Sequence, residues 1–168
     1  LWSFEYPWRT STAASPVIDG NKVYVSAGYG VGAGLYSVAR SGKVKEVWRK
    51  PNRLMNHWST PILHDGHLYG MFSFKKYGRG PLQCVELATG EVKWSENNYG
   101  PGNLILVGDK LLALSDAGEL AVIQATPKAY NELAKSKVLG GKCWSTPAYS
   151  DGKVYIRSTT EAACVPLN

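Results

Sequence analysis

The chain has few of the features that mark membrane proteins, disulfide-stabilised proteins and zinc ribbons. No apolar run in its 168 residues approaches the roughly 18 residues that cross a bilayer, so we expect no transmembrane segment. Its cysteines, Cys84, Cys143 and Cys164, include no Cys-x-x-Cys and no adjacent pair, which disfavours a disulfide scaffold and a zinc site. Neither of the 2 methionines is the first residue. We therefore expect that an upstream segment was removed or that this is a piece of a longer protein.

Charge is sparse, and its balance is positive. Charged residues make up 19% of the chain, with 19 basic and 13 acidic residues and a net charge of +6. This balance permits an anionic partner without requiring one, and we expect no nucleic acid partner. A basic run is interpreted as a solvated outer strand, with attraction to an anionic lipid or polyanion as the alternative. Its members are Arg40, Lys43, Lys45, Arg49, Lys50 and Arg53.

Glycine, tyrosine and tryptophan are abundant, with 18, 10 and 6 copies, and they recur at a regular spacing. The tetrapeptide Trp-Ser-Thr-Pro occurs at residues 58–61 and again at 144–147. Four segments align on anchor positions that are 45, 43 and 43 residues apart, namely Pro16, Pro61, Leu104 and Pro147. A fixed period in this range indicates a structural array.

Each repeat unit predicts four antiparallel strands joined by turns that contain Asp and Gly. The third unit differs, because Thr126 as N-cap and Pro127 at the first helical position predict a short helix over 125–133. Four strands in about 43 residues are typical of a β-propeller blade. We therefore predict a single all-β propeller segment with about four blades. Its parts are the last strand of a preceding blade at 1–8, blades at 9–50, 51–97 and 98–141, and a partial blade at 142–168.

Residues 88–94, Ala-Thr-Gly-Glu-Val-Lys-Trp, resemble the tryptophan-docking repeat of the PQQ-like (quinoprotein alcohol dehydrogenase-like) β-propellers. Residues 40–48 are a stretched copy, and Leu1-Trp2 resembles the tail of another. The resemblance implies that Trp2, Trp48 and Trp94 are structural docking residues, each packing its large ring between neighbouring blades. Rings of this family usually have eight blades, so the chain resembles the C-terminal half of one. The alternatives are a closed four-bladed ring and a dimer that completes an eight-bladed ring.

The resemblance leaves two functions open. The favoured one is a non-catalytic binding or scaffolding module, in which the partner is a protein or the missing half of the propeller. The alternative is part of an alcohol-oxidising dehydrogenase that uses pyrroloquinoline quinone (PQQ) and calcium. A role as an enzyme is therefore the less favoured of the two interpretations. No cofactor is evident otherwise, because the adjacent cysteines and the calcium-binding and catalytic carboxylates of those enzymes cannot be assigned here. An extracytoplasmic location, periplasmic or secreted, follows from the resemblance alone.

The candidate binding site follows from propeller geometry, because the connections between blades converge at one mouth of the central channel. The expected mouth combines cations, amides, an imidazole and indoles, which suits a planar or polar ligand or a peptide loop. In the alternative interpretation Trp58 and Trp144 pack between blades. The candidates are Arg9, Asn56, His57, Trp58, Asn103, Lys142, Trp144 and Arg157, with Tyr29, Lys75, Lys76, Tyr77 and Arg79 at the rim.

Other reactive residue types have structural interpretations. His64 and His67 flank a hairpin turn whose equivalents in other repeats are ordinary polar positions, so we predict no metal site. The glycine-rich residues 28–34 do not fit G-x-G-x-x-G and are interpreted as a flexible connection. Cys84 and Cys164 occupy the same place on third strands and are predicted to be buried. Four aspartates fall in the same inter-strand turn and cannot converge on a substrate, namely Asp19, Asp65, Asp109 and Asp151.

Overall fold

A computed structural model describes residues 1–10, 12–72, 80–97 and 99–167. These residues form strands and no helix, so none of them provides a helix that is long and apolar enough to span a membrane. The strands are β1 (Val17–Asp19), β2 (Lys22–Ala27), β3 (Gly32–Val38), β4 (Val44–Lys50), β5 (Ile62–His64), β6 (His67–Met71), β7 (Leu82–Glu86), β8 (Val92–Glu96), β9 (Gly102–Val107), β10 (Lys110–Ser115), β11 (Glu119–Gln124), β12 (Glu132–Lys137), β13 (Ala148–Ser150), β14 (Lys153–Arg157) and β15 (Ala162–Pro166).

The strands form four antiparallel sheets in which each strand pairs with its neighbour in sequence. Sheet 1 contains β1–β4, sheet 2 contains β5–β8, sheet 3 contains β9–β12, and sheet 4 contains β13–β15. This arrangement confirms the predicted all-β class and the blade-like repeat. The sheets fall within the blade segments that the repeat predicts, because each unit carries its own turns between short apolar strands.

The predicted helix over 125–133 is wrong, because these residues form a turn and then enter β12. The hydroxyl of Thr126 accepts a hydrogen bond from the backbone N–H of Lys128 at 3.3 Å, which makes a local turn where a helix cap was expected. The N–H of Gln124 donates to the carbonyl of Asn131 at 2.9 Å and returns the chain to the sheet. The third unit therefore keeps the four-stranded pattern of the first two.

Consecutive sheets pack face to face, and each junction has its own apolar core. Sheet 2 shows how the strand period produces this stack, because neighbouring residues of a strand point to opposite faces. Tyr69 pairs with Cys84 and faces sheet 3, whereas Leu68 pairs with Val85 and faces sheet 1. All four side chains are completely buried. A sheet between two others is thus apolar on both faces.

The outer face of sheet 4 is open and corrects one prediction. Cys164 was predicted to be buried like Cys84, but it is exposed. It pairs with Tyr155, which is 45% exposed, in the position where Cys84 pairs with Tyr69. Within the described ranges no further sheet covers this face, so equivalent residues differ in burial.

Residues 1–8 form no strand, although a last strand was predicted there. They lie against sheet 1, where the Tyr6 hydroxyl donates to the Gly32 carbonyl at 2.8 Å and the rings of Phe4 and Tyr36 lie 4.6 Å apart. Burial raises the pKa of Tyr6 to about 12. A strand needs a hydrogen-bonded neighbour, and none of the described strands pairs with this segment.

The predicted connection over the glycine-rich residues 28–34 is shorter than expected, because its last three residues belong to β3. Residues 28–31 form the turn, and β3 begins at Gly32. Gly32 has a φ of +87°, and a Cβ atom there would lie 2.1 Å from the carbonyl oxygen of Lys50. The glycine is required because the backbones of two strands approach too closely for a side chain.

Candidate functional site

The connections between sheets meet at one end of the stack. The carbonyl of His57 accepts hydrogen bonds from the N–H of Ala13 at 2.7 Å and from the hydroxyl of Thr12 at 3.2 Å. At the other end of the chain, the side-chain amide of Asn103 donates to the Trp144 carbonyl at 2.9 Å. Segments far apart in sequence are therefore joined directly at this end of the stack, here called the mouth.

Four aromatic side chains, here called the aromatic row, run across the mouth from Tyr29 through His57 and Trp58 to Trp144. Their successive ring centroids are 5.2, 5.3 and 6.0 Å apart. The row ends at Trp144, whose side chain is 58% exposed, with the ammonium group of Lys142 located 5.3 Å from its ring centroid. An exposed indole beside a cation can hold a planar or apolar group and an acidic neighbour together.

His57 lies inside the row and is only partly accessible. Burial lowers the pKa of its imidazole below the ordinary value of 6.5, because desolvation penalises the charged form. The side chain is therefore neutral at neutral pH, and its contribution to the mouth is an uncharged ring between Tyr29 and Trp58.

Two predicted site residues, Asn56 and Asn103, are structural. Asn56 is completely buried. Its Oδ1 accepts a hydrogen bond from the Tyr24 hydroxyl at 3.0 Å, and its Nδ2 donates to the Met71 carbonyl at 3.1 Å. Asn103 is 4% exposed and holds the backbone of Trp144, as described above. Both amides are therefore already used inside the protein, and that of Asn103 holds the backbone at the end of the aromatic row.

The remaining mouth candidates are cations at its edge. Arg9 and Arg157 are exposed. Arg157 ends β14 at this edge, since Thr159 in the following loop donates its N–H to the Lys142 carbonyl at 3.0 Å. Of the predicted rim, Tyr29 belongs to the row, and Lys75, Lys76, Tyr77 and Arg79 lie outside the described residues.

Two of the predicted docking tryptophans, Trp48 and Trp94, lie on outer strands and reach the following sheet. The Nε1–H of Trp48 donates to the Leu87 carbonyl at 2.9 Å, and that of Trp94 donates to the Thr126 carbonyl at 2.7 Å. Trp48 also covers Gly90, where a Cβ atom would lie 3.2 Å from the indole. Trp2 approaches Gly42 in a similar way but is 47% exposed.

The basic run includes one cation with a structural role. The guanidinium of Arg49 donates to the carbonyls of Val31 at 2.7 Å and Ala33 at 2.8 Å, and it stacks 4.9 Å from the ring centroid of Tyr6. Sequence reasoning did not find this role. Arg49 follows Trp48 in a run of basic residues, and nothing in the sequence distinguishes it from the exposed cations around it.

The turn residues are placed where turn chemistry requires them. Asp65 and Asp151 have φ values of 46° and 48°, each followed by a glycine with positive φ, as in two-residue hairpin turns. The imidazole of His64 lies 3.5 Å from the Asp65 carboxylate. Among the residues that the structure describes, no group of three His, Cys, Asp or Glu side chains could hold a metal ion.

The stacked four-stranded sheets and their interlocking tryptophans define a segment of a PQQ-like β-propeller. The family model described as outer membrane protein assembly factor BamB matches residues 8–96. That match covers more than half of the chain, and the chain belongs to this family. No curated protein matches it significantly in sequence.

Solved structures share the fold at low sequence identity. BamB from Moraxella catarrhalis superposes with a TM-score of 0.63 at 11% identity, over 90% of this chain and 41% of that one. The computationally designed protein Ika4 gives a TM-score of 0.66 at 11% identity, over 98% and 96% of the two chains. A chain in a complex of S. cerevisiae Dbp5 with Nup159 and Gle1 gives 0.53 at 12% identity, over 99% and 50%. The chain thus spans less than half of the BamB structure that it matches.

Proposed function

We propose that this chain is part of a non-catalytic β-propeller and that its channel mouth binds a protein partner outside the cytoplasm. The aromatic row carries this proposal, because it ends in an indole that is 58% exposed beside the ammonium group of Lys142. Tryptophan is enriched among the few residues that carry most of the binding energy at protein interfaces. The buried amide of Asn103 holds the backbone of Trp144, which favours a preformed surface.

The expected ligand is a peptide loop of the partner. A flat side chain of that loop would stack on Trp144, and an acidic group would pair with Lys142 or with one of the edge arginines. Arg157 adds positive charge at this edge, in a chain with a net charge of +6. Such charge guides an acidic segment towards the mouth more than it raises the final affinity.

The family supports the proposed cellular location. BamB is described as an outer membrane protein assembly factor. For this chain we infer a binding or scaffolding role in the same kind of compartment, periplasmic or extracellular. The support for this location comes from the related proteins of the family.

We also infer that the described sheets belong to a larger ring of eight blades. The open face of sheet 4 supports this, since the equivalent face of sheet 2 is covered by sheet 3. A second copy of the chain or further blades of a longer protein would supply the cover. The match to Ika4 extends over nearly the full length of both chains, and a closed four-bladed ring is the alternative. Light scattering of the chain distinguishes a monomer from a dimer.

The dehydrogenase alternative requires PQQ and calcium, and the donor set of the described residues does not fit them. Calcium needs several oxygen ligands from one locality. The carboxylates of Asp65, Asp109 and Asp151 belong to turns in three different sheets. We therefore assign no step of alcohol oxidation to these side chains.

Two experiments test the proposal. In the first, wild-type chain, Trp144→Ala and Lys142→Ala are immobilised and exposed to a cell-envelope extract. We expect a polypeptide that wild type retains and both variants lose, while Trp2→Ala, an exposed tryptophan away from the mouth, still retains it. In the second, PQQ and calcium are added with an alcohol and a redox dye. Alcohol-dependent dye reduction would overturn the proposal, as would equal retention by all the variants.

A further inference from the structure

The outer strands of sheets 1, 2 and 3 share a register, and sheet 3 lacks the tryptophan that sheets 1 and 2 have at the equivalent position. In each sheet the third and fourth strands slip by one residue at the same place. The outer-strand residue just after this bulge is tryptophan in sheets 1 and 2, but alanine in sheet 3. The pairs at this point are Leu35 with Trp48, Cys84 with Trp94, and Val122 with Ala134.

The carbonyl that receives the indole has a counterpart in sheet 4. Leu87 accepts the hydrogen bond of Trp48, and the backbone N–H of Leu87 donates to Gly66 at 2.9 Å. The N–H of Leu167 makes the same bond to Gly152 at 2.8 Å. Since Gly66 and Gly152 hold the same place in their hairpin turns, Leu167 occupies the position of Leu87. The junction of sheets 3 and 4 therefore has the acceptor side of a tryptophan contact.

A groove of about 490 Å³ lies where that indole would be. Apolar side chains from both sheets line it, including Leu112, Val122, Ala134, Val165 and Leu167. Most of these also belong to the core between sheets 3 and 4, so the groove continues an established interface. Its size is within the range of pockets that bind small organic groups.

We propose that this groove, the indole groove, is a docking site for a tryptophan side chain of a partner polypeptide. The chain itself provides the template, because the two equivalent junctions are each filled by an indole whose N–H donates to a backbone carbonyl. An indole lying over Ala134 would bury its ring against the leucines and valines and direct its N–H towards the end of β15. This site is separate from the mouth and does not rest on the proposed function.

The probe for the test is N-acetyl-L-tryptophanamide, titrated into ¹⁵N-labelled chain and followed by NMR. We expect saturable shifts at Ala134, Val165 and Leu167, and none of that kind with N-acetyl-L-leucinamide. Ala134→Trp should fill the groove with its own side chain and abolish these shifts. Its new indole N–H should exchange slowly with solvent, as we also expect for the hydrogen-bonded indoles of Trp48 and Trp94.

The matched control is Ala129→Trp, which places an indole on the exposed loop before β12. This variant should keep probe binding, and its indole N–H should exchange rapidly. Absence of saturable shifts in the wild-type chain would overturn the proposal, whatever the variants do. A dimer of the wild-type chain that Trp2→Phe or Trp8→Phe abolishes would also overturn it, because the occupant would then be a second copy.

Discussion

The indole nitrogen of Trp48 lies 2.9 Å from the carbonyl oxygen of Leu87, on the next sheet of the stack. The two residues are 39 positions apart in sequence, so the bond joins one repeat unit to the following one. Trp94 makes the corresponding bond to Thr126. Sheets 1 and 2 are thus each tied to the following sheet by a residue of their outermost strand.

Replacing Trp48 by Phe should lower the free energy of unfolding by about 1–2 kcal/mol, because an inter-sheet hydrogen bond and part of a ring contact are lost. Urea unfolding followed by circular dichroism measures the change. Trp2→Phe is the control, since Trp2 is 47% exposed and should change stability by less than about 0.5 kcal/mol. Equal losses in the two variants would show that the Trp48 bond contributes nothing specific.

Asn56→Ala should destabilise the fold more than any substitution of an exposed mouth residue. The change removes a buried amide that serves the Tyr24 hydroxyl and the Met71 carbonyl, and unsatisfied buried polar groups cost about 1–3 kcal/mol each. Thermal unfolding compared with Lys142→Ala measures the difference. An Asn56→Ala variant as stable as Lys142→Ala would contradict the structural role.

The repeat and its turns could be predicted from the sequence because the chemistry of each turn is local. Asp65-Gly66 and Asp151-Gly152 adopt positive φ at both residues, which is what a tight hairpin needs. Packing between sheets could not be predicted in the same way. Cys84 and Cys164 share a sequence position, but only Cys84 has a sheet above it.

The sequence places His57, Trp58 and Trp144 in the connections between blades, because that location follows from topology. The role of the asparagines depends on distant partners: Asn56 is satisfied by Tyr24, which is 32 residues away. The indole groove was missed because a bulge, invisible in the sequence, places Ala134 in register with the tryptophans.

The three cysteines should differ in reactivity. Cys164 is exposed, whereas Cys84 and Cys143 are buried. Burial raises the pKa of the Cys143 thiol and raises that of Cys84 to about 11, so little thiolate forms at neutral pH. A thiol-specific disulfide reagent should therefore titrate one thiol in the folded chain and all three after unfolding. Fast reaction of a Cys164→Ser variant would contradict this assignment.

The stability should depend on pH through His57. Its folded-state pKa lies below 6.5, the ordinary value, so the unfolded chain binds a proton more readily. Stability from this residue is present above pH 6.5 and is lost as the pH falls through the lower folded value. Urea unfolding between about pH 7.5 and 5.5 should show a larger loss for wild type than for His57→Gln. The same loss in both proteins would assign the effect to other groups.

Site-specific photo-crosslinking from the mouth tests the central claim most directly. A photoreactive phenylalanine is placed at Trp144 and, in a control chain, at Val92, which is exposed on an outer strand. Both chains are illuminated in a cell-envelope extract. The account predicts a discrete crosslinked polypeptide from position 144 that is absent from position 92. Identical crosslinking patterns from the two positions would contradict a binding site at the channel mouth.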